Sequence, residues 1–286
     1  MKQDYSKYFC GEDGYCLDYN KAKIAILPVP YDGTSTWIKG ADKGPAALIE
    51  ASGILEMLDI ETRFDVSKEG IFTLDPVQEN STPEKMSEAV EKTMTKLLND
   101  KKFPVLVGGE HSVSIGAFRA MAKQCEDVTF LQFDAHADLR PSYEGSTHNH
   151  ACAMYQAKQE GKIVQVGIRS MCEEESVHTE PQRIFFRYQI RQNPNWQNEV
   201  LKQLTKKVYI TIDLDVFDPS IMPSTGTPEP DGLLYYEVLS VIRKVAEHHE
   251  IVGLDVVELC PNPASKGSDF LAAKLIYQIL TAVFSK

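Results

Sequence analysis

Val128-Thr-Phe-Leu-Gln-Phe133, running without a break into Asp134-Ala-His-Ala-Asp138, is the stretch that decides the fold. Its first six residues read as a strand apolar along nearly its whole length, the pattern of a strand covered on both faces. Five further runs read as strands: Lys23–Val29, Phe103–Val107, Ile163–Ile168, Lys207–Ile212 and Ile251–Val257. Between them lie longer helical patterns, among them Pro83–Asn99, Ser112–Cys125, Tyr235–His248 and Ser268–Phe284. Thr82 ahead of Pro83 reads as an N-cap followed by a first-turn proline. Strands alternating with helices predict an α/β fold with a mainly parallel central sheet. No repeat, low-complexity tract or Pro/Gly/Ser-rich linker breaks the pattern, so residues 1–286 are expected to form a single domain.

Composition narrows the function classes. A chain of 286 residues buries a core without needing disulfides, and its six cysteines form no CxxC pair and no zinc spacing, so they are expected to be reduced thiols. A formal charge of −11 argues against a nucleic-acid partner, which needs a basic face. No apolar run approaches the roughly 18–20 residues of a membrane span. Met1 to Tyr15 is polar and acidic, unlike a secretory signal, so a cytoplasmic protein is expected.

In open parallel sheets, ligands gather beyond the carboxyl ends of the strands. A dinucleotide site fails that test, because the first strand leads into Pro28-Val-Pro-Tyr-Asp-Gly33 with no GxGxxG. Three other segments pass it. Phe103–Val107 enters Gly108-Gly-Glu-His-Ser112, Val128–Phe133 enters Asp134-Ala-His-Ala-Asp138, and Lys207–Ile212 enters Asp213-Leu-Asp215. In extended chain, residues i, i+2 and i+4 share a face, which predicts that Asp134, His136 and Asp138 converge, as do Asp213 and Asp215. Carboxylates so gathered repel one another, and two divalent cations would cancel four of them. Imidazoles mixed with carboxylate oxygens suit Mn²⁺, with Fe²⁺, Co²⁺ or Ni²⁺ as alternatives, better than Ca²⁺ or Mg²⁺. Either Asp-rich motif alone reads more readily as a turn or a cap; the combination, with His111 upstream, reads as a two-metal centre.

Gly-Gly-Glu-His-Ser112, Phe133-Asp-Ala-His-Ala-Asp138, Thr211-Ile-Asp-Leu-Asp-Val-Phe-Asp-Pro219, Thr225-Gly-Thr-Pro-Glu-Pro-Asp-Gly232 and Asp255-Val-Val-Glu-Leu-Cys-Pro261 together resemble the ureohydrolase family of arginases and agmatinases, most closely its agmatinase branch. The resemblance spans nearly the whole chain, from Pro28-Val-Pro-Tyr-Asp-Gly-Thr-Ser35 onward. It implies an arginase-like three-layer α/β/α sandwich, two Mn²⁺ per chain and a homo-oligomer, trimer or hexamer. By the same resemblance one metal is bound by His111, Asp134, Asp138 and Asp213, the other by Asp134, His136, Asp213 and Asp215. His150 is implied as the proton shuttle, with His148 as its competitor, and Ala151-Cys152 departs from the family's usual glycine or serine followed by threonine. Glu258 is implied to pair with the substrate guanidinium. Two cations acidify water near neutral pH, so the expected reaction is hydrolysis of a small cationic guanidino compound to urea and an amine.

The substrate's tail is less legible. Ser146-Thr-His-Asn-His-Ala151 lacks the arginase donor set for an α-carboxylate, and Glu144 in the same loop reads equally as a partner for an amine tail or as a solvent-facing acid. These favour agmatine, yielding putrescine, or an aminopropylated agmatine; guanidinobutyrate, arginine, guanidine and formimidoylglutamate are the alternatives. Two rivals stand outside this reading: a one-metal amide hydrolase on a similar fold, and a catalytically silent metal-binding family member.

Overall fold

The computed structural model describes residues 4–285. Its centre is one eight-stranded sheet: β1 (Ile24–Val29), β2 (Ile71–Thr73), β3 (Phe103–Gly108), β4 (Val128–Phe133), β5 (Lys162–Ile168), β6 (Ile184–Phe186), β7 (Lys207–Asp213) and β8 (Glu250–Val257). The spatial order is β2-β1-β3-β8-β7-β4-β5-β6, and every neighbouring pair is parallel. All six strands expected from sequence are present. The other two, β2 and β6, are three-residue edge strands that sequence periodicity is too short to reveal.

Side-chain alternation divides the apolar interior between the two faces. Ile24, Ile26, Leu131, Phe133, Ile210 and Ile212 enter one core with Val238 and Ile242 of the helix Tyr235–His248 and Leu275 and Ile279 of Gly267–Phe284. Ala25, Leu27, Val128, Phe130 and Tyr209 enter the other, against Met86, Val90 and Met94 of Pro83–Asn99 and Phe118 of Ser114–Gln124. This is the expected three-layer α/β/α sandwich. Thr82 caps Pro83–Asn99 as read from sequence, its hydroxyl accepting from Lys85 N at 3.2 Å. No helix among the described residues is long and apolar enough to cross a membrane.

One consequence matters for function. The four central neighbours β3, β8, β7 and β4 are the strands whose carboxyl ends carry Glu110-His111, Glu258, Asp213-Asp215 and Asp134–Asp138. Residues scattered over some 150 positions of sequence are thereby delivered to one edge of the sheet.

Candidate metal centre

The turn after β3 is possible because Gly109 lies against Tyr31: a Cβ there would stand 1.9 Å from the Tyr31 carbonyl oxygen. That contact lets Glu110 N donate to Tyr31 O at 2.9 Å and brings His111 under the end of β7. His111 Nε2 is 2.9 Å from the Thr211 hydroxyl, which donates to Asp255 Oδ1 at 2.6 Å. A hydroxyl committed to a carboxylate must accept from the ring, so His111 carries its proton on Nε2. Asp255 thus fixes a ring through one intermediary. His111 Nδ1 is left buried with no hydrogen-bond partner, while Asp134 Oδ2, Asp138 Oδ2 and Asp213 Oδ2 stand 3.2, 3.0 and 3.5 Å away.

His136 repeats the arrangement one step along the sheet edge. Its Nδ1 is 2.9 Å from Asp215 Oδ2 and 3.7 Å from Asp134 Oδ1, and its Nε2 faces Glu229 Oε1 at 3.8 Å. Two ligand groups result, His111 with Asp134 and Asp213, and His136 with Asp134 and Asp215, sharing Asp134. Asp138 joins the first through its contact with His111.

The residues converge by a different route from the one the sequence pattern implied. The strand ends at Phe133, and Asp134 Oδ1 caps the next turn by accepting from His136 N at 2.6 Å. Asp138 has φ 51°, in the left-handed region that side-chain-bearing residues seldom occupy, so it is brought back by a turn, not by strand alternation. Asp213 likewise accepts from Asp215 N at 2.9 Å, opening a short 3₁₀ turn over Leu214–Val216. Backbone strain of this kind persists where surrounding structure over-determines it.

Without cations the cluster is electrostatically unsatisfied. Burial and the neighbouring Asp134 charge push the Asp138 carboxyl up to about 7, and burial with Asp215 and Asp134 raises Asp213 well above the usual carboxylate range. Burial alone would lower the His111 imidazole, but Asp134, Asp138 and Asp213 outweigh it and raise it well above its ordinary value. These groups retain protons because their negative charge lacks a counter-ion, and an unpaired ionised carboxylate at such a site costs several kcal/mol. His111 Nδ1, aimed into three carboxylate oxygens, takes either a proton or a metal cation at that point. The donor set therefore fits two divalent ions.

The cluster forms one wall of a cavity of about 360 Å³. Glu258 and His150 also line it, with Thr36, Arg140, Tyr143, Ser170, Met171, Cys172, Glu175 and Thr227. Glu258 has φ 67°; its Oε1 accepts from His111 N at 2.8 Å. Burial, then the Glu110 charge, raises its carboxyl well above normal. His150 is lowered to about 4, by burial first and then by the charges of His111 and His136. His148 is absent from the cavity wall: its Nε2 is 2.9 Å from Arg119 Nη2 and its Nδ1 is 3.0 Å from the Thr147 hydroxyl. Cys152 is buried, its thiol pushed up to about 12 by that burial, and it does not face the cavity. All six cysteines are free.

Glu144 does not support the amine-tail reading. It is exposed at φ 48° and outside the cavity; Arg140 stacks over the Tyr143 ring at 4.5 Å in that part of the wall.

Sequence reasoning also passed over Arg169, the residue after β5. Its guanidinium donates to main-chain carbonyls only, among them Asp215 O at 2.7 Å, Glu229 O at 2.9 Å and Pro230 O at 3.0 Å. It ties the loop bearing Asp215 to the loop bearing Glu229. Gln132 was missed too: its Nε2 donates to Asp134 Oδ2 at 2.6 Å while its Oε1 accepts from Gln165 at 2.6 Å.

A model of the arginase family matches residues 22–282. The chain belongs to the arginase family. It is 37% identical over 273 residues to the N(1)-aminopropylagmatine ureohydrolase of Synechocystis sp., covering 92% of this chain and 89% of that one. It is 30% identical to the agmatinase of Pyrococcus horikoshii, covering 92% and 93% respectively. The crystal structure of the agmatine ureohydrolase of Thermoplasma volcanium superimposes with a TM-score of 0.87 at 30% identity, covering 98% of this chain and 94% of that one. This arginase-family protein is thus a ureohydrolase, a hydrolase of carbon–nitrogen bonds in linear amidines.

Proposed function

We propose that this arginase-family ureohydrolase cleaves the guanidino group of N(1)-aminopropylagmatine, and of agmatine as the shorter substrate, to urea and an amine. The carrying observation is the pair of imidazole–carboxylate groups sharing Asp134 on the wall of a cavity that Glu258 and His150 also line. Similarity supports the longer tail first, since the Synechocystis relative, at 37% identity, bears that name and the agmatinase stands at 30%. Agmatine, which the 146–151 loop favours first, remains the second substrate.

In this reading His111, Asp134, Asp138 and Asp213 hold one Mn²⁺, and Asp134, His136, Asp213 and Asp215 hold the other. When bound, two such cations supply a hydroxide nucleophile near neutral pH and balance the buried carboxylates. Glu258 has one oxygen occupied by the His111 N–H, which leaves the other to receive the guanidinium and orient its carbon. His150 hands a proton to the alkyl nitrogen as the carbon–nitrogen bond breaks, so that the product leaves as an amine. Burial disfavours the charged form of the ring, which leaves the imidazole neutral to accept the proton it then delivers. The enzyme is further proposed to act as a single-domain homo-oligomer, a trimer or hexamer, which light scattering and a single unfolding transition would check.

The test is urea release by manganese-loaded protein from N(1)-aminopropylagmatine, agmatine, guanidinobutyrate, arginine and guanidine. Highest kcat/KM on the first is expected, with agmatine next. Preference for arginine or guanidinobutyrate would overturn the tail assignment, and silence on the whole panel would favour a non-catalytic protein. A metal content near one ion per chain would favour the one-metal amide hydrolase.

A further inference from the structure

Pro28-Val-Pro-Tyr-Asp-Gly-Thr-Ser35, which leaves the end of β1, supplies none of the six candidate ligands, yet it reaches the wall that holds His150. Asp32 folds the segment back, its Oδ2 accepting from Gly40 N at 2.6 Å and Ala41 N at 3.2 Å. Thr34 N donates to Glu110 Oε1 at 3.3 Å, and the buried Glu110 also accepts from the main-chain N–H and hydroxyl of Ser112, both at 2.8 Å. The Thr34 hydroxyl is thus pinned to the same turn that carries His111. Its Oγ1 accepts from His150 N at 2.9 Å and lies 3.2 Å from His150 Nδ1.

A threonine hydroxyl has one proton to give. Here its oxygen already receives the His150 main-chain N–H, and His150 Nδ1 is the one acceptor bonded to it among the described residues. From this contact we infer that Thr34 donates to Nδ1 and holds the neutral His150 ring with its proton on Nε2, making Thr34 a positioning residue for proton transfer. The opposite tautomer would set Nδ1–H against that hydroxyl and leave the hydroxyl proton without a partner, a cost half-buried polar groups avoid. Nε2 is therefore the nitrogen left to exchange protons with the cavity. The inference rests on the proposed role of His150 and adds which ring atom performs it and what sets it.

Thr34→Val removes the hydroxyl at nearly constant volume, and Thr34→Ser keeps it. With manganese-loaded protein and agmatine or N(1)-aminopropylagmatine, Thr34→Val is expected to lower kcat about tenfold or more, a modest share of a general acid's usual contribution. KM and bound manganese should stay within about twofold, the signature of an interaction used after substrate has bound. Thr34→Ser should recover most of the loss. Native kcat in Thr34→Val, or a loss falling wholly on KM or on metal content, overturns the inference. His150→Asn separates the two levels. If it keeps native turnover, the role of His150 itself fails. If it loses turnover while Thr34→Val does not, only Thr34 fails. A direct readout needs no change at Thr34: ¹⁵N-histidine spectra of the zinc-loaded full chain, with His150 assigned by its absence in His150→Asn, should show Nδ1 unprotonated. A protonated Nδ1 overturns the inference.

Discussion

His111 and His136 face similar sets of carboxylates, but one is sealed inside the sheet and the other hangs from loops. The His111 side chain is 1% exposed and is braced from beneath by Thr211 on β7 and Asp255 on β8. The His136 side chain is 26% exposed, and its surroundings are held by the Arg169 guanidinium gripping main-chain carbonyls of two loops. The first half is an extension of the core and inherits its rigidity. The second is a loop assembly held by scattered hydrogen bonds, those of Arg169 and Gln132 among them. Opening is easiest where buried contacts are fewest, so the His136 half is expected to yield its ion first.

The comparison breaks most completely at Asp134, a residue that both halves use. Asp134→Asn removes the shared carboxylate and should abolish loading of both ions, with turnover lost by about a thousandfold or more. Metal analysis and urea release check this, and near-normal activity would sink the cluster assignment. Asp255→Asn acts on the sealed half alone. Weakening the Thr211 relay should cost about 10–100-fold in manganese affinity, the usual range for a group that orients a ligand. Calorimetry should find the loss at one site of the two; equal loss at both would contradict separate support. Arg169→Lys acts on the loop half. One ammonium cannot reach carbonyls spread around a guanidinium fork, so about tenfold weaker binding at the His136 group is expected. A coupled two-ion electron paramagnetic resonance signal giving way to a single-ion one at limiting manganese would report it. The smallest effect belongs to Glu144→Gln. That side chain lies in solvent outside the cavity, so stability should shift by less than about 0.5 kcal/mol and kcat/KM on agmatine should be unchanged. A clear drop on agmatine would restore Glu144 as a partner of the amine tail.

The central layer was legible in sequence because strands covered on both faces cannot hide their apolar runs, and Pro83–Asn99 and Tyr235–His248 were legible to the residue from capping and periodicity. The edge strands Ile71–Thr73 and Ile184–Phe186 were not, since three residues carry no period and form because β1 and β5 offer an edge to pair with. The six acids and imidazoles could be named because charge at a buried strand end demands compensation. How they converge could not: φ 51° at Asp138 and the cap at Asp134 are properties of turns. Arg169 was within reach of the same strand-end rule, directly after Ile168, but a cation does not look like part of a cation site. Thr34 meets His150 across 116 positions of sequence, a distance over which no local pattern speaks.

The wall formed by Ser170, Met171, Cys172 and Glu175 comes from the connection after β5, a stretch that contributes no acid or imidazole to the cluster. That stretch of wall and the reactive centre are therefore written on different pieces of chain. Such a wall can be exchanged with its crossover while the reactive centre is copied forward untouched. A graft of that crossover between two relatives would carry the donor's stretch of wall with it and leave the metal ligands of the recipient as they were.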